Sequence, residues 1–192
     1  MIWVLVAVLV VAVVVLALLL MRSRQSQRLQ EDFGPEYDRA VEERGDRRQA
    51  EAELSERRER RAKLDIRPLD PGARERYAER WQAAQRRFVD HPAQAVGEAD
   101  SLVSAVMSER GYPVSEEFDQ RAADISVDHP VVVEHYRAAH DISLRTTAGD
   151  ASTEDLRQAM VHFRALFDEL LGRDERFDRE EREPTHATKE RT

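Results

Sequence analysis

The chain has 192 residues, of which 41% are hydrophobic and 35% charged, and its net charge at pH 7 is −8. It contains no cysteine, which excludes disulfides, thiolate metal sites and cysteine nucleophiles. Its seven glycines are too widely spaced to form a glycine-rich phosphate-binding loop. Outside one apolar segment, the length is that of a single ordinary domain.

Residues 2–21 form that segment, the uninterrupted apolar run IWVLVAVLVVAVVVLALLLM. As a helix, this run extends about 30 Å, the thickness of the hydrocarbon core of a bilayer. A cleaved signal peptide is the alternative, but such peptides have a basic start, an apolar stretch of about 7–15 residues and small residues at the cleavage site. The run has none of these features, since it is longer, lacks a basic start and ends in Leu18-Leu19-Leu20-Met21. We therefore expect residues 1–21 to be a transmembrane anchor whose partner is the lipid bilayer.

The flanking charges predict the orientation of this anchor. Arg22, Arg24 and Arg28 follow the apolar run, and the first acidic residue after it is Glu31. Short basic segments next to a span stay in the cytoplasm. The sequence thus predicts a single-pass protein of the inner (plasma) membrane, with its N-terminus outside and its soluble domain in the cytoplasm.

Residues 22–64 are expected to form juxtamembrane and charged stalk helices. Gly34-Pro35 predicts the start of a short helix, and Gly45 predicts its end. Asp46 is a candidate N-cap for a helix over about 47–63. In this helix oppositely charged residues recur four apart, at Arg47/Glu51, Glu53/Arg57, Glu56/Arg60 and Glu59/Lys63. This helix has few apolar residues and no sustained heptad, so we expect a solvated stalk, with a coiled coil as the alternative.

Residues 65–172 are predicted to form a bundle of about five helices, because helix-start signals recur and no alternating strand pattern occurs. The predicted helices cover about 71–89, 92–110, a short segment after Ser115, 130–146 and 153–171. Asp70 and Ser115 are candidate N-caps, and Ser152 and Asp155 are spaced as a capping box. The apolar positions expected to form the core are Tyr77, Trp81, Ala84, Phe88, Val96, Ala99, Leu102, Val103, Val106, Met107, Phe118, Ala122, Ile125, Val132, Val133, Tyr136, Ala139, Ile142, Leu156, Ala159, Met160, Phe163, Phe167, Leu170 and Leu171.

The tetrapeptide Val-Asp-His-Pro occurs twice, at 89–92 and 127–130. The segments that follow share only an amphipathic pattern, so two similar helix starts explain the repeat better than a duplication. In both copies Asp is expected to cap the next helix and Pro to occupy its first position.

Residues 173–192 contain one aromatic residue and no aliphatic residue larger than alanine, which predicts a disordered charged tail. The bundle segment 65–172 has a net charge of −8. An acidic globular part argues against a nucleic-acid partner, which requires a basic face.

No catalytic or metal-binding motif is evident. The histidines of the helical region have no His, Asp or Glu three or four positions away, the spacing at which one helix offers two ligands. They are His91, His129, His135, His140 and His162. Such spacing occurs in the tail, where Glu183 and His186 are three positions apart. The sequence thus predicts no catalytic residue, metal ligand or cofactor, and leaves open a site assembled between helices.

Three stretches of the chain are FGPEYDRAVEERGDRRQAEAEL, RGYPVSEEFDQRAADISVDHPVVVEHYRAAH and STEDLRQAMVHFRALFDELL. They resemble an uncharacterised family of bacterial single-span membrane proteins, and the likeness covers about residues 29–171. The resemblance implies a membrane anchor with a helical soluble domain, and it implies no activity or functional residue.

Two functions fit these observations. The first is a membrane-anchored interaction or scaffold module that faces the cytoplasm and binds a protein partner. The alternative is a ligand-binding or enzymatic domain, with a pocket between helices near Trp81, Tyr112, Tyr136 and the histidines. A pocket above about 300 Å³ with converging polar groups favours the alternative, whereas a filled core with exposed apolar side chains favours the module.

Overall fold

The computed structural model describes residues 2–114 and 117–172. Of the segment 2–22 it describes the side chains of Trp3, Leu9, Val13, Leu16, Ala17, Leu20 and Met21. The described residues form eight helices and no strand, so the all-α prediction is confirmed. The helices are α1 (Ile2–Phe33), α2 (Pro35–Arg44), α3 (Arg47–Arg61), α4 (Pro71–Arg87), α5 (Pro92–Arg110), α6 (Phe118–Asp128), α7 (Val133–Ala148) and α8 (Thr153–Leu170). They divide into two compact units, one up to Ala62 and one from Lys63 onward.

The first unit packs the C-terminal part of α1 against α2 and α3. α1 continues without a break from the apolar segment to Phe33, and Gly34 then reverses the chain with a φ of 46°. Pro35 begins α2, as expected for a residue whose fixed φ suits the first helical position. The buried apolar side chains of this unit are Leu29, Phe33, Tyr37, Ala40, Ala50 and Leu54.

Helix α3 differs from the expected solvated stalk, because one of its faces is buried. Ala50 and Leu54 are fully covered, and Arg57 is buried with them. The outer face is charged as predicted, and the pairs Arg47–Glu51 and Arg57–Glu53 both form. The expectation of a helix solvated all round was wrong because its few apolar residues, spaced by four, suffice to line one narrow stripe.

Within the described residues, no helix has both the length and the hydrophobicity that a membrane span requires.

The second unit is a bundle of five helices in its described part, α4 to α8, and the predicted bundle is confirmed. α8 packs against α5 and α7, and α4 packs against α5. All seven apolar positions predicted for α8 are buried, together with Leu166. Most other predicted core positions are buried as well, whereas Phe88, Phe118 and Val132 are only partly covered.

Three predicted N-caps form the expected hydrogen bonds. Asp46 accepts from the backbone N–H of Arg48 and Asp70 from that of Ala73. Ser152 and Asp155 form a reciprocal capping box at the start of α8. The predicted cap at Ser115 and the predicted disordered tail at 173–192 lie outside the described residues.

The two Val-Asp-His-Pro segments have different structures, so the prediction of two equivalent helix starts was wrong. At the first, Pro92 is the first residue of α5, but no side chain caps the helix. At the second, Asp128 is the last residue of α6, and α7 begins only at Val133. Tertiary contacts explain the difference: Asp128 Oδ2 accepts a hydrogen bond from the Tyr112 hydroxyl, and the neighbouring His129 Nδ1 lies 2.8 Å from Glu169 Oε1.

The C-terminus of α5 is tightly enclosed. Gly111 has a φ of 100°, and a Cβ at this position would overlap the backbone carbonyl of Asp65. The N–H of Arg67 donates to the carbonyl of Arg110 over 2.9 Å, which holds the entering segment against the helix end. A side chain at position 111 would therefore be excluded by both space and backbone conformation.

Candidate functional site

A polar groove of about 680 Å³ lies in the first unit, between α1 and the N-terminal part of α3. Its lining consists of hydroxyl, amide, guanidinium and carboxylate side chains. These are Ser23, Ser26, Gln27, Gln30, Arg47, Arg48 and Glu51. The α1 residues share one helix face because they are three or four positions apart. The groove has polar groups along both walls.

Glu51 is the centre of a hydrogen-bond network in this groove. One of its oxygens, Oε1, accepts from Ser26 Oγ at 2.6 Å and from the Tyr37 hydroxyl and Arg47 Nε, both at 2.9 Å. Burial raises the pKa of Glu51, but the hydrogen bonds from Ser26, Arg47 and Tyr37 outweigh it, so the pKa is lowered overall. The carboxylate is therefore ionised at neutral pH, and it ties α1, α2 and α3 together.

A second charged cluster lies deeper in the first unit. Arg57 Nη1 donates to Glu36 Oε1 over 2.6 Å, and the side chains of both residues are nearly covered. Glu53 joins the cluster through Arg57 and Arg44. Burial raises the pKa of Glu53, and the bonds from the two arginines overcome that effect and lower it. Because removal of one partner of a buried ion pair strands the other charge, this cluster fixes how α2 meets α3.

The two arginines of the groove have different environments. Arg47 is held by Glu51 and Ser26, and its guanidinium lies 5.9 Å from the centroid of the Tyr37 ring. The backbone N–H of Arg48 donates to the N-cap Asp46. Its side chain is exposed and has no hydrogen-bond or ion-pair partner among the described residues. The groove thus offers one positioned and one available guanidinium.

The second unit contains a pair of histidines whose contact was not predicted from the sequence. His135 on α7 and His162 on α8 place their Nδ1 atoms 2.9 Å apart. Because one nitrogen must donate and the other accept, the contact requires a neutral ring on the accepting side. Burial, and then the charge of His135, lower the pKa of His162. No cluster of three or more His, Asp or Glu side chains able to hold a metal ion occurs in the part of the chain that the structure describes.

A partly buried polar group lies between α5, α6 and α7. Arg121 Nε donates to the Tyr136 hydroxyl over 3.3 Å, and the His140 ring stacks on Phe118 with centroids 3.6 Å apart. Burial raises the pKa of Asp100, against the opposing charges of His140 and Arg121. The group gives the hydroxyl of the buried Tyr136 a hydrogen-bond partner, whereas Asp100, Phe118, Arg121 and His140 are half-buried.

The residues expected to line a pocket in the bundle are instead packed into its core. Trp81 stacks on Phe167 with ring centroids 4.6 Å apart, and Tyr112 and Tyr136 are buried and hydrogen-bonded through their hydroxyls. His129 pairs with Glu169, whereas His91 is exposed at the start of α5. The predicted pocket near Trp81, Tyr112, Tyr136 and the histidines is therefore filled by core side chains. What remains of the hypothesis is the contact between His135 and His162.

Neither the groove nor the histidine pair could be predicted from the sequence, and the reason is the same for both. Their members come from different helices, with Ser26 and Arg47 21 positions apart and His135 and His162 27 apart. Spacing along one helix cannot reveal such pairs. The only local signal for the groove was the predicted contact of Arg47 with Glu51.

No protein-family model matches the chain, and neither a curated protein nor a solved structure is significantly similar to it.

Proposed function

We propose that the chain is a membrane-anchored helical module that presents its bundle in the cytoplasm and binds a protein partner there. One observation carries the anchor: the apolar run 2–21 continues as helix α1, and its described large side chains are turned outward. Trp3, Leu9, Val13, Leu16, Leu20 and Met21 are each more than half exposed. A 20-residue apolar helix with exposed side chains needs apolar surroundings, which a bilayer supplies.

The bundle supports the role of an interaction module. Its aromatic residues are packed into the core, and the described large apolar side chains that remain exposed there are Val89, Val131, Leu144 and Val161. A filled core leaves the bundle surface as the place where a partner would bind.

The ligand-binding alternative gains support from the polar groove, whose volume exceeds the lower limit usual for ligand sites. The groove belongs to the first unit and lies beside α1, so a ligand there would be bound next to the proposed anchor. Ligand binding in this groove is therefore compatible with the anchored module and does not require an enzymatic function.

The test of the anchor and its orientation uses two C-terminal fusions of the full chain. A fluorescent-protein fusion should be bright and sediment with membranes, and an alkaline-phosphatase fusion should be inactive. An active phosphatase with a dark fluorescent fusion would contradict the cytoplasmic orientation. Recovery of the fluorescent fusion in the soluble fraction would contradict the anchor itself.

The test of the partner is a pull-down from solubilised membranes, analysed by mass spectrometry. The double variant Leu144→Ser/Val161→Ser tests whether the partner binds at these positions, because it alters two exposed side chains of the bundle and leaves the core intact. A partner that binds the bundle surface should be enriched with the parent chain and depleted with a surface variant that touches its site. Identical recovery of membrane proteins with the parent and with a chain that lacks 65–172 would contradict the interaction role.

A further inference from the structure

We propose that the groove between α1 and α3 binds the phosphate of an anionic phospholipid headgroup. The inference rests on the proposed membrane anchor, which sets the depth of the groove. The proposal adds a ligand class and a binding site in the first unit. The proposed anchor by itself requires only an apolar helix.

The position of the groove along α1 matches the headgroup layer. If the hydrocarbon core ends near Met21, Ser23 lies about 3 Å and Ser26 about 7.5 Å beyond it, at 1.5 Å per residue. The polar layer on each side of a bilayer is about 5–8 Å thick. Ser23 therefore lies inside this layer and Ser26 at its outer edge. The guanidinium of Arg47 is bonded to Ser26 Oγ, which places it at the same depth.

The groove offers the donors that a phosphate requires. A guanidinium binds phosphate oxygens through two parallel N–H bonds, and the Arg48 side chain is exposed with no partner among the described residues. Ser23 and the amides of Gln27 and Gln30 line the opposite wall and can donate to the remaining oxygens or to headgroup hydroxyls. These donors converge on one space from two helices.

The charge of the groove also favours an anion. Glu51 is its only lining carboxylate, and its Oε1 already accepts from Ser26, Tyr37 and Arg47. That network offsets the negative charge and leaves the charge of Arg48 uncompensated. Arg24 and Arg28 follow Ser23 and Gln27 by one position, about 100° around α1, and add positive charge at the flank.

The test measures lipid binding to the full chain in detergent micelles by native mass spectrometry. We expect phosphatidylglycerol to bind at least about fivefold more tightly than phosphatidylcholine, which has no net charge. Arg48→Gln should abolish this preference. Arg58→Gln is the matched control, because Arg58 is an exposed arginine on the same helix, 10 positions further from the groove. It should retain the preference of the parent.

Arg48 is the primary target because its side chain supports no internal contact of the unit, so that its replacement leaves the fold intact. Equal binding of the two lipids by the parent, or an unchanged preference in Arg48→Gln, would overturn the proposal. Inorganic phosphate is the third probe. Binding of phosphate that depends on Arg48, with no binding of phosphatidylglycerol, would overturn the lipid assignment and identify the groove as a site for a soluble phosphate.

Failure of this proposal is distinguishable from failure of the anchor. A chain that sediments with membranes but shows no lipid preference keeps the anchor and loses the headgroup site. A chain that is soluble without detergent loses the anchor, whatever its lipid preference.

Discussion

At the scale of single residues, the two phenylalanines of α8 carry a large share of the bundle's stability. Phe163 and Phe167 are fully buried, and Phe167 stacks on Trp81. Replacement of either by alanine leaves a cavity, and we expect it to lower the free energy of unfolding by about 3–5 kcal/mol. Urea unfolding of the unit from Lys63 onward measures this loss.

Val161→Ala is the control for these variants, because Val161 is on the same helix and half exposed. It should change the free energy of unfolding by no more than about 0.5 kcal/mol. A decrease in the free energy of unfolding below about 1 kcal/mol for both phenylalanine variants would show that these side chains of α8 do not stabilise the core.

The histidine pair predicts a pH dependence of bundle stability. The pKa of His162 is lowered in the folded state, so between its folded value and the usual value of about 6.5 the unfolded chain binds more protons. Stability is therefore fully present above about pH 6.5 and is lost as the pH falls toward the folded pKa. We expect His162→Gln to remove this part of the acid loss.

The measurement is the free energy of unfolding by urea at a series of pH values between about 8 and 5, spanning the usual histidine pKa. His91→Gln serves as the control, since His91 is exposed at the start of α5. The same acid slope in the parent and in His162→Gln would contradict the prediction.

At the scale of elements, sequence and structure agree where the signals of a helix are local. The start of α8 was predictable because Ser152 and Asp155 are three residues apart and cap each other within one turn. Its buried face was predictable because apolar residues recur at helical spacing along one segment. These signals depend on no other part of the chain.

Sequence-based prediction fails where a contact with a residue far away in the chain determines the structure. Asp128 has the same sequence neighbours as Asp90, yet Asp128 is the last residue of α6 and its carboxylate accepts a hydrogen bond from Tyr112, 16 positions away. The buried pair of Glu36 and Arg57 likewise joins two helices across 21 positions. The groove could not be predicted for the same reason, since Arg47 and Arg48 meet α1 only after α2 has reversed the chain.

The end of α5 gives the sharpest prediction at this scale. Gly111→Ala places a methyl group against the carbonyl of Asp65 and forces an L residue to a φ of 100°. We expect it to cost more than the 1 kcal/mol or so typical of a glycine-to-alanine change at positive φ, and to lower the melting temperature of the unit from Lys63 onward. Gly97→Ala is the control, because Gly97 is in the helix interior and a Cβ there meets nothing within 4 Å.

Gly97→Ala should leave stability unchanged or raise it slightly, because alanine has the higher helix propensity. Equal melting temperatures for the two variants would contradict the tight approach of residue 65 to the end of α5.

At the scale of the whole molecule, the chain combines an uncharged apolar segment with an acidic helical bundle. Residues 2–21 contain 15 Ile, Leu and Val side chains, whereas residues 65–172 have a net charge of −8. The charged helices pack into the two units, which are held by helix caps, ion pairs and buried apolar faces. These units give no internal partner to the described large side chains of the apolar segment, which supports the proposed anchor.

The size of the apolar segment sets how many charges the proposed anchor tolerates. Each Ile, Leu or Val contributes about −0.3 to −0.6 kcal/mol to membrane insertion, so the 15 side chains together favour insertion by about 4–9 kcal/mol. One arginine near the centre costs about 2.5–3.5 kcal/mol, which leaves insertion favourable. The double variant Leu9→Arg/Val13→Arg costs about 5–7 kcal/mol and also removes two favourable side chains.

We therefore expect the single variant Val13→Arg to remain in the membrane fraction and the double variant to be released from it, as measured by fractionation of cells that express the full chain. The matched control is Leu144→Arg/Val161→Arg, which adds the same two charges at exposed apolar positions of the bundle. This control should sediment with membranes as the parent does, because neither side chain belongs to the anchor. Release of the control together with the double variant would mean that added charge alone, and not the loss of an apolar span, solubilises the chain. Retention of the double variant would contradict the expected release.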